Sequence, residues 1–276
     1  MLINLKEILK IAEEKKIAIG SFNTPNMTSI KAVISAAEEL NQPVILMHAQ
    51  VHEEMGLCVM EEIVPVMLMF AKKAKVPVCV HLDHGTDLDY VKRGLLLGFT
   101  SVMYDGSTLP ADENAANTVI AVAEARKTGA SVEAEIGSMG SREGGGNNTS
   151  IYTDPNAAVE FVEETGIDAL ACAFGTAHGF YKDAPRLDFE RLSKISSLIN
   201  VPIVMHGGSG VSAENYREVI KRGVRKVNYY TYMAKAGGEA VSNKEYVQFH
   251  DVLLDAEKAM MKNVKSAIKI FSESGK

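Results

Sequence analysis

Eight short apolar runs recur along the chain, and between consecutive runs the apolar residues shift to helical spacing. The runs are "IAIGSFN" from Ile17, "PVILMHA" from Pro43, "VPVCVHLD" from Val76, "TSVMYDG" from Thr100, "SVEAEIG" from Ser131, "DALACAFG" from Asp168, "VPIVMHGG" from Val201 and "VRKVNYY" from Val224. The segments between them include "TSIKAVISAAEEL", "LDYVKRGLLLG", "ENAANTVIAVAEARKTG", "DPNAAVEFVEETG" and "SAENYREVIKRG", several closing on a glycine that signals a helix stop. Strand and helix alternating eight times predicts an α/β chain folded as a (β/α)8 TIM barrel, with a doubly wound open sheet as the main competitor. With no linker or composition shift along its 276 residues, the chain reads as one domain spanning 1–276. After the eighth run, "AKAGGEAVSN" and the stretch from Lys244 read as extra C-terminal helices, more than a closing eighth helix needs. Packing against another subunit is one use for them.

A hydrophobic share of 46% with 23% charged residues suits a globular protein, and a net charge of −6 gives no general attraction for nucleic acid or an anionic membrane. No apolar run reaches the roughly 18 residues needed to span a bilayer. The start, "MLINLKEILKIAEEKK", carries Glu7, Glu13 and Glu14 through its apolar positions and reads as an amphipathic helix, not a signal peptide. Cys58, Cys79 and Cys172 are scattered without a CxxC, which predicts a reduced, cytoplasmic protein.

Barrels of this kind gather their active sites at the C-terminal ends of the strands. The third run ends in Asp83 and His84, the fourth in Asp105, the fifth in Glu135, the sixth leads to His178, the seventh to His206, and the eighth to Asn228 and Thr231. Any one of these histidines alone would more often be a hydrogen-bonded structural residue. Three on one rim instead form a ligand set for catalytic zinc, because neutral imidazoles leave the metal acidic enough to polarise a carbonyl. Asp83, beside a presumed ligand, suits a proton donor or acceptor, although a carboxylate bonded to a neighbouring histidine has the same spacing. Asp105 and Glu135 read as outer partners of the metal or as a second metal position. His81 shares strand parity with Asp83 and reads as an inward orienting partner; His48 and His52 are expected just beyond the second strand, near the rim, and His250 on a helix surface.

The segment Gly137 to Thr153, "GSMGSREGGGNNTSIYT", is long, polar and glycine-rich, the character of a lid, a binding loop, a disordered stretch or a tolerated insertion. Glu143 sits in it, where a lid residue could swing into place. "GGSG" at 207–210 and "NYYT" at 228–231 follow the seventh and eighth runs, where barrels often bind phosphate through backbone N–H groups. A glycine cluster also serves any tight turn, so the phosphate reading rests on its place beside the histidines.

The motifs "HLDHG", "VEAEIG", "TDPNAAVEFVEETGIDALACAFGTAHG", "VPIVMHGGSGVS" and the eighth-strand Asn-x-x-Thr resemble the class II, zinc-dependent ketose-bisphosphate aldolases of fructose- and tagatose-bisphosphate type. The likeness runs from about Ile17 to Thr231. It implies that His84, His178 and His206 bind Zn2+, that Asp83 exchanges the proton of the substrate's C4 hydroxyl, and that Asp105 and Glu135 hold an alternate or second divalent metal. It further implies that Glu143 moves a proton at the carbon of dihydroxyacetone phosphate and that Asn23 positions that triose. Gly179, Gly207, Ser209, Asn228 and Thr231 would surround its phosphate, where backbone groups can also hold a monovalent cation, Na+ or K+. The implied partner is a small sugar phosphate of carbohydrate metabolism, and the implied assembly a homodimer or homotetramer.

The chain departs from that pattern in three places. Met47 and Ala49 stand where many fructose-bisphosphate aldolases carry Gln-x-Ser, Tyr230 fills the place of a small or acidic residue, and no arginine follows Arg225 to meet a second phosphate. A distal phosphate would then need a lysine such as Lys235 or a different loop, or the aldehyde carries none. Three rival readings stay open: a Schiff-base aldolase using Lys226 on the eighth strand, a metal-dependent hydrolase on the same fold, and a non-catalytic barrel subunit. Stereochemistry at C3 and C4, the native metal and the oligomer are not legible from motifs.

Overall fold

The computed structural model describes residues 1–137, 140–141, 152–179 and 184–273. Eight parallel strands, Ile19–Asn23, Val44–Ala49, Val78–Gly85, Ser101–Tyr104, Ser131–Ile136, Ala169–Cys172, Ile203–Met205 and Val224–Tyr229, close into a barrel in which the first pairs with the eighth. Seven of the expected runs contain their strand whole, the third strand runs two residues past its run to Gly85, and closure rules out the open sheet. The helices are α1 (Leu5–Lys15), α2 (Met27–Leu40), α3 (Gln50–Glu54), α4 (Met60–Lys73), α5 (Leu88–Leu97), α6 (Ala111–Thr128), α7 (Pro155–Thr165), α8 (Phe189–Leu198), α9 (Ala213–Lys221), α10 (Thr231–Ser242) and α11 (Phe249–Glu273). The last two are the expected C-terminal additions. Because α11 packs against both α2 and α9, it closes the ring, and α10 is the element beyond what the barrel needs.

The amphipathic start forms α1, opened by a capping box between Asn4 and Glu7. Its buried face, Leu5, Ile8, Leu9 and Ala12, plugs the N-terminal end of the barrel against Ile19, Ile45, Met47, Cys79, Ala169, Ala171 and Val204. Those strand residues recur at every second position, so they define the inward face. Register carries the same parity around the barrel: Met47 pairs with His81, His81 with Ser101, Met103 with Glu133, Glu135 with Ala171 and Lys226 with Val204. The outward residues, among them Leu46, Val80, Val102 and Leu170, form the larger core beneath the helices.

Along the inward face the chemistry changes with height. An apolar layer meets α1, a polar layer of Ser21, His81, Ser101, Glu133 and Lys226 lies above it, and Asn23, Asp83, Glu135, His206 and Asn228 come last. Groups so costly to bury collect at the C-terminal end, where such barrels do chemistry. His48 differs from its expected place beyond the second strand. It lies within that strand and faces outward into the helix layer, where Nε2 lies 3.0 Å from the Tyr90 hydroxyl and Nδ1 3.7 Å from Cys58 Sγ. Among the described residues, no helix is long and apolar enough to cross a membrane.

Candidate active site

A cavity of about 620 Å³ opens at the C-terminal rim. Asn23, Asp83, His84, Asp105, Glu135, His178, Gly179, Gly207, Ser209, Asn228 and Thr231 line it, and His206 is buried directly against His84. Every expected site residue among the described residues is therefore here. Glu143 lies outside the described residues.

Strand alternation should turn neighbours Asp83 and His84 to opposite faces of the sheet. The third strand escapes this because His84 adopts φ +49° and the pairing with the fourth strand slips between Leu82 and Gly85. A left-handed non-glycine backbone costs on the order of 1–3 kcal/mol and persists where the surroundings impose it, characteristically at functional sites. Its result is that carboxylate and imidazole reach the same cavity.

The ring centroids of His84, His178 and His206 lie 5.0, 4.6 and 5.9 Å apart (84 to 178, 84 to 206, and 178 to 206). One ligand atom from each falls within 4.8 Å of the others. His84 Nδ1 donates to Asp105 Oδ2 at 2.6 Å and His206 Nε2 donates to Glu133 Oε1 at 2.8 Å. Each carboxylate leaves the opposite ring nitrogen aimed inward, and His84 Nε2 and His206 Nδ1 face each other at 2.9 Å. Glu135 Oε2 is buried without a hydrogen-bond partner, 3.6 Å from His206 Nδ1. Three imidazole nitrogens within 4.8 Å of one another fit a divalent cation, with the orphaned Glu135 oxygen beside His206. His84, Asp105 and Glu135 form a second such group, so the two acidic residues can serve an alternative position.

Burial disfavours a proton on His84, yet Asp83, Asp105 and Glu135 outweigh it and raise the imidazole to about 10. Burial pushes His178 down to about 4 and His206 well below the usual histidine range. Burial, with Asp105 beside it, drives Glu135 well above the ordinary carboxyl range. Asp83 is held at about 2, since His84, His206, Lys226 and the Asn23 amide overcome the effect of burial. Two rings are thus ready ligands at neutral pH, while His84 must lose a proton. Metal affinity is expected to rise about tenfold per pH unit below pH 10, with about one proton released per ion from this ring. Calorimetry in buffers of different ionisation enthalpy measures that release, and a pH-independent affinity would contradict it.

Asp83 is gripped on both oxygens, Oδ1 by Asn228 Nδ2 at 3.0 Å and Oδ2 by Asn23 Nδ2 at 3.3 Å. The amide oxygens of both asparagines are buried without hydrogen-bond partners, acceptors that a hydroxyl or a cation could satisfy. Across the cavity, Gly207 has φ +60°, and a Cβ there would stand 2.4 Å from the Ala177 carbonyl oxygen. Only glycine lets these two loops approach so closely. Ser209 Oγ accepts from the Tyr230 N–H at 3.0 Å, tying the glycine turn to the start of α10, which has no side-chain cap. A helix N-terminus beside a glycine turn is suited to an anion.

Two residues take roles that motif reading did not assign. His52, on α3, is buried, lines the cavity and packs its ring 4.8 Å from that of Tyr230. Glu133 is fully buried and bridges His206 to Lys226, the ammonium lying 2.9 Å from Oε2. The signal for it was present, because "VEAEIG" puts Glu133 and Glu135 on one face of a strand. Met47 packs in the inner apolar layer while Ala49 lines the cavity, so only position 49 bears on a ligand. Lys226 and Lys235 are not among the lining residues; Lys235 lies 3.5 Å from Glu239. Among the described lining residues there is no lysine or arginine, and one wall is Val51, Met55 and Leu57.

A closed (β/α)8 barrel with clustered histidines and carboxylates on its catalytic rim defines a class of enzyme equipped for metal-assisted chemistry. Residues 3–276 match the family described as "Fructose-bisphosphate aldolase class-II". A 6-phospho-5-dehydro-2-deoxy-D-gluconate aldolase of Halalkalibacterium halodurans is 37% identical, over 100% of this chain and 98% of that protein. A fructose-bisphosphate aldolase of Staphylococcus aureus is 36% identical over 100% and 99%. Among solved structures, the YdjI aldolase of Escherichia coli K12 superposes with a TM-score of 0.89 at 34% identity, covering 98% of this chain and 97% of that one. A putative fructose-1,6-bisphosphate aldolase of Coccidioides immitis gives 0.90 at 29%, covering 98% and 96%. The chain belongs to the class II fructose-bisphosphate aldolase family, whose members are lyases acting on sugar phosphates.

Proposed function

We propose that this enzyme is a zinc-dependent aldolase. It reversibly cleaves a ketose 1-phosphate or 1,6-bisphosphate of fructose or tagatose type to dihydroxyacetone phosphate and an aldehyde. Residues 1–276 act as one domain, in a cytoplasmic homodimer or homotetramer. The observation that carries the reading is the meeting of His84, His178 and His206 with Asp83 in one cavity whose far edge is the Gly207–Ser209 turn and the start of α10. The three histidines would hold Zn2+, with Asp105 and Glu135 available to a second divalent ion. Bound there, zinc supplies Lewis acidity to the negative charge that develops on the triose oxygens as the carbon–carbon bond breaks.

This chain's residues do the rest. Asp83, oriented by Asn23 and Asn228, takes the C4 hydroxyl proton in cleavage and returns it in synthesis. Gly179, Gly207, Ser209 and Thr231 seat the triose phosphate, Asn23 and Asn228 offer their amide oxygens to its hydroxyls or to a monovalent cation, and Glu143 moves the proton at the triose carbon. A second reading, in which the aldehyde carries no distal phosphate, is favoured by the described lining, which has no lysine or arginine and an apolar wall. The test is dihydroxyacetone phosphate release from fructose 1,6-bisphosphate, tagatose 1,6-bisphosphate and ketose 1-phosphates, before and after EDTA and after zinc is restored. Zinc-restored release is expected, and its ranking decides between the two acceptors. No release from any ketose by the zinc-loaded protein refutes the aldolase reading.

A further inference from the structure

Inside the barrel, one layer below the cavity, Glu133 and Lys226 are fully buried and paired with each other. A buried ion pair is expensive, since desolvation commonly exceeds the attraction gained, and apolar residues of similar volume would often serve stability as well. The pair therefore calls for a purpose beyond stability. Lys226 Nζ donates to Oε1 at 3.2 Å, the oxygen that also meets His206 Nε2 at 2.8 Å, and lies 2.9 Å from Oε2, which is buried with no hydrogen-bond partner among the described residues. His81 Nε2 stands 3.6 Å from Oε2, and its Nδ1 lies 2.8 Å from Ser101 Oγ, so the carboxylate is surrounded.

We infer that Glu133 is a positioning residue that fixes the tautomer of His206, and that Lys226 anchors the Glu133 carboxylate in the orientation this requires. A carboxylate can only accept here, so His206 must carry its proton on Nε2 and present the bare Nδ1 to the histidine cluster. Only a bare ring nitrogen can ligate a metal. With the Lys226 ammonium within 3.2 Å of both oxygens, the carboxylate is anchored below the metal position. The inference rests on the proposed zinc site and concerns how this chain prepares one of its donors.

Glu133→Gln tests the direction of that bond. Lys226 Nζ lies nearer the Oε2 position, at 2.9 Å, than the Oε1 position, at 3.2 Å, so the amide oxygen is expected at the former and the NH2 at the latter, facing His206. Nε2 must then accept, and the proton moves to Nδ1. Zinc affinity, measured by competition with a chromophoric chelator, is expected to fall about 10–100-fold, the usual cost of losing an outer partner. In the metal-free proteins, 15N spectra of His206 should show the proton on Nε2 in wild type and on Nδ1 in E133Q. A lysine stranded by the substitution could also disturb the site, so the double variant E133L/K226M removes both charges. It is expected to stay as weak as E133Q, because no acceptor remains. Wild-type zinc affinity in the double variant, or an unchanged tautomer and affinity in E133Q, overturns the assignment. Failure of the wild type to bind zinc overturns the metal reading itself.

Discussion

Asp83→Ala is expected to lower kcat for ketose cleavage by about 10²–10⁴-fold, the span that a positioned proton-transfer group contributes, while bound zinc stays near wild type. Two features argue for an effect of that size. Asp83 is held at about 2, so it is ionised, and able to accept a proton, throughout the neutral range. It is also held in place on both oxygens by Asn23 and Asn228, so it costs little reorganisation when it takes a proton. The substitution leaves two buried amides without their acceptor, and circular dichroism with zinc content separates that from lost chemistry. A decrease below tenfold in a folded, zinc-loaded variant would remove Asp83 from the proton-transfer role.

His178→Ala should be the more damaging change to the metal. It deletes a donor outright, so zinc affinity is expected to fall by more than the 10–100-fold that losing an outer partner costs. Zinc-dependent release of dihydroxyacetone phosphate should disappear at stoichiometric metal. Stability gives an independent readout. A ligand at a hundred times its dissociation constant stabilises the native state by about 2.7 kcal/mol, which for a chain of this size raises Tm by several degrees. The wild type should show that rise with added zinc and the variant should not. Equal rises would place the metal away from His178.

The fold was legible because barrel closure depends on a pattern that the chain repeats. Eight apolar runs, with helical spacing and glycine stops between them, left only closure against an open sheet to be decided, and every strand but the third, which runs on to Gly85, fell inside its expected run. The clustering of the rim residues was legible for a related reason. Parallel strands all end on the same face, so a list of strand ends is already a list of neighbours. His52 was placed near the rim but given no part in the cavity, because it lies on one short helix, α3, whose path no periodicity announces. Motif position also says nothing of depth: the inward residues of the second strand pass from core to cavity between Met47 and Ala49.

Sequence alone determined which groups this protein brings to its rim: three histidines, Asp83, Asp105, Glu135 and the glycine turn after the seventh strand. Those follow from local periodicity and the shared direction of the strands. Tertiary structure alone decided how they face one another. The left-handed turn at His84 overrides strand alternation, Asp105 and Glu133 orient two imidazoles from other strands, and Asn23 and Asn228 close on Asp83 from across the barrel. The four contacts join residues 21 to 145 positions apart. Such contacts depend on the register of strands around a closed sheet, which no local pattern in the chain encodes.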